Sequence, residues 1–240
     1  MTIALIPVKR LEESKSRLLS RLPGARRQAL TLAMLDDLIE ALGRTPGVGR
    51  IAITTPDPIV AERARTAGAE VLIRAEPGLN AALEDGRTRL ASAGDAAGGE
   101  EDLLIVLGDV AGATPEDFAS LLEAARHGES PGVWLAPSRD GGTSALLQHP
   151  AGAIACCFGR ESARRHREAA RAAGVAYHEI ELASLAIDLD QPEDLEAFLE
   201  TRGGGPRTRA LLEDVSASTP PSTSPATDPA TTRVDSRRDG

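Results

Sequence analysis

The chain has 240 residues and a net charge of −9, and its aromatic side chains are three Phe, one Tyr and one Trp. Such a chain offers neither a broad cationic field for nucleic acid or anionic membranes nor aromatic platforms for base stacking. Its two cysteines are neighbours, Cys156 and Cys157, which excludes a disulfide framework and a cysteine-based zinc site.

Pro7, Lys9 and Arg10 interrupt the first apolar stretch too early for a secretory signal, and no apolar run is long enough to span a bilayer. The expectation is a reduced, cytoplasmic protein. In chain order, Ile3–Val8 is an apolar run expected as a buried strand. Residues Arg26–Leu42 have helical spacing, with Leu30, Met34, Leu38 and Leu42 on one face. Ile51–Thr54 is a strand, Pro58–Ala67 a helix stopped by Gly68, Val71–Ile73 a strand and Asn80–Ala93 a helix. Leu103–Leu107 is a continuous apolar strand, and Thr114, Pro115 and Asp117 open a helix to Arg126. Val133–Ala136 is a strand, and Ser144–Leu147 and Ala153–Phe158 are expected as strands around a turn. A helix at Glu161–Ala173 ends at Gly174, Tyr177–Glu181 is a strand, and Gln191 to Asp194 open a helix to Glu200. The alternation predicts an α/β domain over 1–203 with a mostly parallel sheet covered on both faces, so ligands belong beyond the carboxyl ends of the strands. Thirteen of the seventeen residues 216–232 are Ser, Thr or Pro, and 204–240 is expected as a disordered tail apart from a short helix at Arg209–Val215.

Five segments carry chemistry. The loop after the first strand holds Lys9, Arg10, Lys15 and Arg17 without the glycines of a Walker loop, which suits polyphosphate. Only two of the 27 basic residues are lysine, and both lie in this loop. Asp109 follows the apolar strand at Gly108, where a carboxylate serves Mg²⁺ or simply closes a turn. Asp188 and Asp190 at i and i+2 face one way in extended chain and repel unless a cation lies between them; capping of the next helix by Asp190 is the competing reading. Asp140-Gly141-Gly142-Thr143-Ser144 is either an anion-binding turn with added hydroxyls or a plain hairpin. Gly159 leads into a helix start at Ser162, a second anion position or ordinary capping. Asn80 is a helix cap or a nucleotide contact. The four histidines show no metal spacing and are expected at the surface, and the cysteines are expected to pack as small apolar residues in a strand.

Taken in order, Ile6-Pro7-Val8-Lys9, Lys15-Ser16-Arg17-Leu18, Gly78-Leu79-Asn80, Pro137 to Thr143, Phe158-Gly159 with Ser162, and Asp188-Leu189-Asp190 with Pro192 to Leu195 resemble the guanylyltransferases of coenzyme F-420 biosynthesis. The resemblance spans about residues 3–200. It implies a Rossmann-like, glycosyltransferase-A-like nucleotidyltransferase of three layers. It also implies that the phosphate of phosphoenolpyruvate or 2-phospholactate attacks the α-phosphorus of GTP and displaces pyrophosphate. By this likeness Asp109, Asp188 and Asp190 hold Mg²⁺, and Thr143, Gly159 and Ser162 receive the acid. Pro7, Lys9, Lys15, Arg17 and Asn80 meet the nucleotide, and Lys9, Lys15, Arg17 and Asp109 are the catalytic set. One departure stands out: the family's Ala-Asp-Leu-Pro is here Gly108-Asp109-Val110-Ala111, and the lost proline is expected to loosen the loop behind the carboxylate.

The expected partners are GTP and a phosphorylated three-carbon acid, with no nucleic acid or membrane, a homodimer, and hand-off of product to the next transferase. A phosphomonoester's second pKa is about 6, so the attacking group is already an anion and needs no strong general base. The sequence leaves open which acid is used; the arginine- and alanine-rich composition leans towards phosphoenolpyruvate. Two other readings remain: a nucleotidyltransferase for a molybdopterin or sugar phosphate, disfavoured by the absence of a glycine-rich first loop, and a non-catalytic GTP-binding protein.

Overall fold

Successive side chains of a strand point to opposite faces, and in the first strand, β1 (Thr2–Pro7), both sets are buried: Ile3 and Leu5 on one side, Ala4 and Ile6 on the other. Such a strand belongs in the middle of a sheet covered on both faces. The computed structural model, which describes residues 1–18, 22–74, 78–93, 101–201 and 203–218, shows that arrangement. The remaining elements are α1 (Gly24–Gly43), β2 (Val48–Thr55), α2 (Pro58–Thr66), β3 (Glu70–Ile73), α3 (Leu79–Ala93), β4 (Asp102–Val106), α4 (Pro115–His127), β5 (Gly132–Pro137), β6 (Thr143–His149), α5 (Ser162–Ala173), β7 (Ala176–Glu179), α6 (Pro192–Glu200) and α7 (Pro206–Ser218).

The seven strands form one sheet in the order β3-β2-β1-β4-β6-β5-β7. All neighbours are parallel except β6, which runs against both β4 and β5. The α/β class and the mostly parallel sheet are therefore as expected. One face is covered by α1, α2 and α4 through Leu35, Leu38, Val60, Phe118 and Leu121; the other by α3 and α5 through Leu83, Leu90 and Ala170. A third core lies beyond the sheet. It joins Leu30 and Met34 of α1 to Ala111, Ile187, Leu189, Phe198 of α6 and Leu212 of α7.

Two expectations change. Residues Ala153–Phe158 form no strand, because their amides bond to side chains rather than to a neighbouring strand. Ile154 N donates to Gln148 (3.2 Å), Cys156 N to Glu84 (2.8 Å), Cys157 N to His166 (2.9 Å) and Phe158 N to Asn80 (2.8 Å). Cys156 is buried as expected, but in this irregular strap.

The folded domain also continues past its expected end at 203. Gly204 and Gly205 press against the 111–113 loop; a Cβ there would lie 2.2 Å from the Ala113 oxygen and 2.3 Å from the Ala111 oxygen, respectively. Helix α7 is then capped from a distance. The buried Asp37 of α1 accepts from Arg207 N (3.2 Å), Thr208 N (2.9 Å) and the Thr208 hydroxyl (2.8 Å). An acidic group at a helix start satisfies its orphan N–H groups and complements its dipole. Residues 219–240, where most of the Ser/Thr/Pro-rich segment falls, lie outside the described residues.

Asp37→Ala leaves the buried Thr208 donors unsatisfied and should cost about 2 kcal/mol. Urea unfolding should show a lower midpoint with unchanged slope; an unchanged midpoint would contradict the long-range cap.

Candidate active site

The β1 strand delivers its cationic loop to the carboxyl edge of the sheet, and long-range contacts hold the loop there. Leu11 N donates to Asp57 Oδ2 (2.9 Å), and the buried Arg27 donates to the Ser14 oxygen (2.9 Å). Leu11 and Leu18 are buried beneath it. Lys15 is held at φ +55°, a left-handed conformation that costs a non-glycine residue about 1 kcal/mol and survives only where surroundings impose it. Its buried ammonium lies 3.6 Å from Asp109 Oδ2.

In front of this loop is a cavity of about 470 Å³, lined among others by Pro7, Lys9, Lys15, Thr54, Arg74 and Asp109. The carboxyl ends of β1, β2 and β4 form its floor, where ligands of open α/β sheets bind. The cations expected for a triphosphate thus divide. Lys9 and Lys15 line the cavity, whereas Arg17 turns to Asp190 in an exposed pair at 2.7 Å.

The three expected metal-binding carboxylates divide as well. Asp109 and Asp188 come together because Val110 and Asp188 form an antiparallel bridge and Leu189 N donates to the Asp109 oxygen (3.2 Å). The Oδ1 atoms of both are buried without a hydrogen-bond partner. Burial and the Asp109 charge push the Asp188 carboxyl up to about 8, against the pull of Lys15. Asp190 faces elsewhere because the chain is not extended: Asp190 N donates to the Asp188 oxygen (2.8 Å), a tight turn about Leu189 that separates the two side chains. No group of three or more His, Cys, Asp and Glu side chains able to hold a metal occurs among the described residues. Where the family has Leu-Pro behind this carboxylate, Val110 and Ala111 are both buried. Glycine at 108 sits close to β1, where a Cβ would lie 3.0 Å from the Pro7 oxygen.

Across the β4–β6 boundary lie Thr143, Gly159 and Ser162. The Ser162 hydroxyl is 2.9 Å from that of Thr143, and Ser162 N donates to the Gly159 oxygen (3.1 Å). Ala163 N donates to the Gly141 oxygen (3.3 Å), so two of the N–H groups at the start of α5 are already occupied and the hydroxyls are the stronger anion contacts. Asn80 is committed to the strap, accepting from Phe158 N and donating to its oxygen (3.1 Å), rather than capping or facing the cavity. Asp140 anchors the turn by accepting from the Ser138 hydroxyl (2.5 Å) and Gly142 N (2.9 Å), which hold its carboxyl below the usual range.

His166 corrects the expectation that all four histidines are at the surface. It is fully buried, 3.1 Å from the Thr143 hydroxyl through Nδ1, while Nε2 accepts from Cys157 N. Burial, aided by the charge of Arg165, pushes it down to about 4, so it is neutral at pH 7. The available signal was its i+4 spacing from Ser162 on one helical face. Thr54 and Arg74 in the cavity wall carried no comparable motif.

A cation-lined cavity beside paired carboxylates, at the carboxyl edge of this sheet order, defines a nucleotidyltransferase-like fold. A solved Desulfovibrio desulfuricans protein of the nucleotide-diphospho-sugar transferase class superposes with a TM-score of 0.70 at 16% identity, over 90% of this chain and 96% of the other. A 4-diphosphocytidyl-2C-methyl-D-erythritol synthase gives 0.57 at 18% identity, over 88% and 97%. The particular family follows from sequence: residues 2–234 match the model of the CofC-like guanylyl transferases, and the chain belongs to that family. It is 43% identical to the phosphoenolpyruvate guanylyltransferase of Rubrobacter xylanophilus over 202 residues, 84% of this chain and 94% of that one. It is 37% identical to the 3-phospho-D-glycerate guanylyltransferase of Phenylobacterium zucineum over 221 residues, 90% and 98%. No helix among the described residues is long and apolar enough to cross a membrane.

A histidine buried neutral has its pKa lowered on folding, so the unfolded chain binds a proton that the folded one does not between pH 6.5 and about 4. Stability should fall as pH drops through that window, by up to about 3 kcal/mol from this group. Melting temperature against pH should show the fall in the parent and a shallower one in His166→Gln; parallel curves would contradict it.

Proposed function

We propose that the chain transfers a guanylyl group from GTP to phosphoenolpyruvate, or to another phosphorylated three-carbon acid, in coenzyme F-420 biosynthesis. What supports this reading is a nucleotide-sized cavity lined by a buried lysine and Asp109, together with the partnerless oxygens of Asp109 and Asp188 and a buried hydroxyl pair. A phosphate oxygen of the acid attacks the α-phosphorus, the α–β bridging bond breaks, and pyrophosphate leaves. The attacking oxygen is already anionic, so the obstacle is bringing two polyanions together, which calls for charge neutralisation and positioning. Lys9 and Lys15 neutralise the triphosphate in the cavity, and Thr143 and Ser162 orient the acid's phosphate beside Asp109.

The orphaned Oδ1 atoms of Asp109 and Asp188 fit a hard divalent cation such as Mg²⁺, which takes oxygen ligands and usually one or two carboxylates. When bound, it would supply positive charge against the phosphates. Asp109 and Asp188 would hold it, and Asp190 would join only by leaving Arg17. The substrates are polar metabolites, which supports a cytoplasmic enzyme that passes its product to the next transferase. A homodimer belongs to the same reading.

The test is pyrophosphate release with GTP, Mg²⁺ and, in separate reactions, phosphoenolpyruvate, 2-phospholactate and 3-phosphoglycerate. Activity is expected with phosphoenolpyruvate, and absence of release with all three would overturn the reading. Asp109→Asn should lower kcat/KM by about 100-fold or more, the scale for losing a group that acts in the transition state. Mg²⁺ should raise the melting temperature of the parent and leave Asp188→Asn nearly unmoved; equal shifts would place the cation elsewhere.

A further inference from the structure

The side chains of Thr143, Ser162 and His166 form a hydrogen-bonded group whose direction the ring decides. All three are buried, and they come from the start of β6 and the first turns of α5. His166 Nε2 accepts from the Cys157 backbone N–H at 2.9 Å. A neutral imidazole has one donor and one acceptor nitrogen, so the proton sits on Nδ1. Nδ1–H is therefore a donor, with the Thr143 oxygen 3.1 Å away and the Ser162 backbone oxygen, one helical turn earlier, as a second acceptor.

The two hydroxyls hold two protons between them. One lies in the 2.9 Å bond that joins them. Neither can be given to His166, because Nδ1 is already a donor. The second hydroxyl proton therefore has no acceptor among the three side chains and is available to an acceptor beyond them. Were Nδ1 an acceptor, it would take that proton and the pair would present only lone pairs. A lone-pair face repels an anion, whereas an O–H donor to phosphate is a strong, charge-assisted contact.

We propose that His166 is a positioning residue that fixes the Thr143–Ser162 hydroxyl pair as a net donor toward the phosphate of the acceptor acid. The proposal rests on the reading above that the acid binds at these hydroxyls. It assigns His166 no contact with substrate and no proton transfer. The same ring also pins the strap at Cys157, so the test must separate the two tasks.

Asparagine and glutamine do so, because the asparagine amide overlays Nδ1 and the glutamine amide overlays Nε2. His166→Asn retains a donor to Thr143 and loses the acceptor for Cys157; His166→Gln does the reverse. Steady-state kinetics with GTP, Mg²⁺ and phosphoenolpyruvate should show KM for the acid raised about tenfold in His166→Gln, the scale of one buried hydrogen bond, and partly restored in His166→Asn. KM for GTP should stay within about twofold in both, since the cavity wall is unaltered. Thr143→Val should match or exceed the loss in His166→Gln.

If His166→Gln binds the acid as well as or better than His166→Asn, the ring serves the strap and the proposal is overturned. If Thr143→Val binds the acid normally, the placement of the acid fails, and the proposal with it. Should a variant fail to fold, the ¹⁵N resonances of His166 in the parent protein decide the question. A neutral Nδ1–H ring at pH 7, perturbed at Nδ1 when phosphoenolpyruvate is added, is expected; an Nε2–H ring or an imidazolium would refute it.

Discussion

The structure turns on an electrostatic conflict: two aspartates held close together, each with one oxygen buried and unpartnered, with one buried lysine to offset them. Left to themselves, such groups would separate and hydrate. They stay because the bridge between Val110 and Asp188 and the bond from Leu189 N to the Asp109 oxygen tie their backbones together. The backbones are in turn anchored by the third core, where Ala111, Ile187 and Leu189 pack against Phe198 and Leu212. Helices α6 and α7 lie outside the sheet's two covering layers, and holding this conflict in place gives them a physical purpose. Two unsatisfied oxygens on neighbouring aspartates are what a divalent cation would relieve.

The acceptor side is organised by a different principle. The strap from Ala153 to Phe158 borrows acceptors from Gln148 of β6, Glu84 and Asn80 of α3, and His166 of α5. A chain held by four side chains keeps a definite path without the flatness of a strand, and it delivers Gly159 to the start of α5. His166 belongs both to this strap and to the hydroxyl pair, so its tautomer links loop geometry to the polarity of the anion contact. Charge is localised in the same spirit. A protein of net charge −9 confines its only two lysines to one loop, where they line one cavity.

Much of this was legible in the chain itself. The alternation of apolar runs and helical spacing, the Thr114–Pro115–Asp117 cap, and the strand-end position of Asp109 are local signals, and local backbone geometry follows from them. So are the resemblance motifs, which place the chain in its family. Four features were not legible. Asp190 turns away from Asp188 because of one tight turn. Asn80 serves a backbone seventy-eight positions away. His166 is buried rather than exposed, and the helix expected at 209–215 spans 206–218 and docks on α1.

The division has one cause. Secondary structure depends on neighbours within a few positions, so the sequence by itself determined the α/β order, the edge at which ligands bind and the residue types gathered there. Which donor meets which acceptor depends on chain segments brought together only by folding, and on the loss of water between them. Tertiary structure alone decided that Asp109 pairs with Asp188 and Lys15, that Arg17 and Asp190 neutralise each other outside, and that His166 faces Thr143 with its proton on Nδ1.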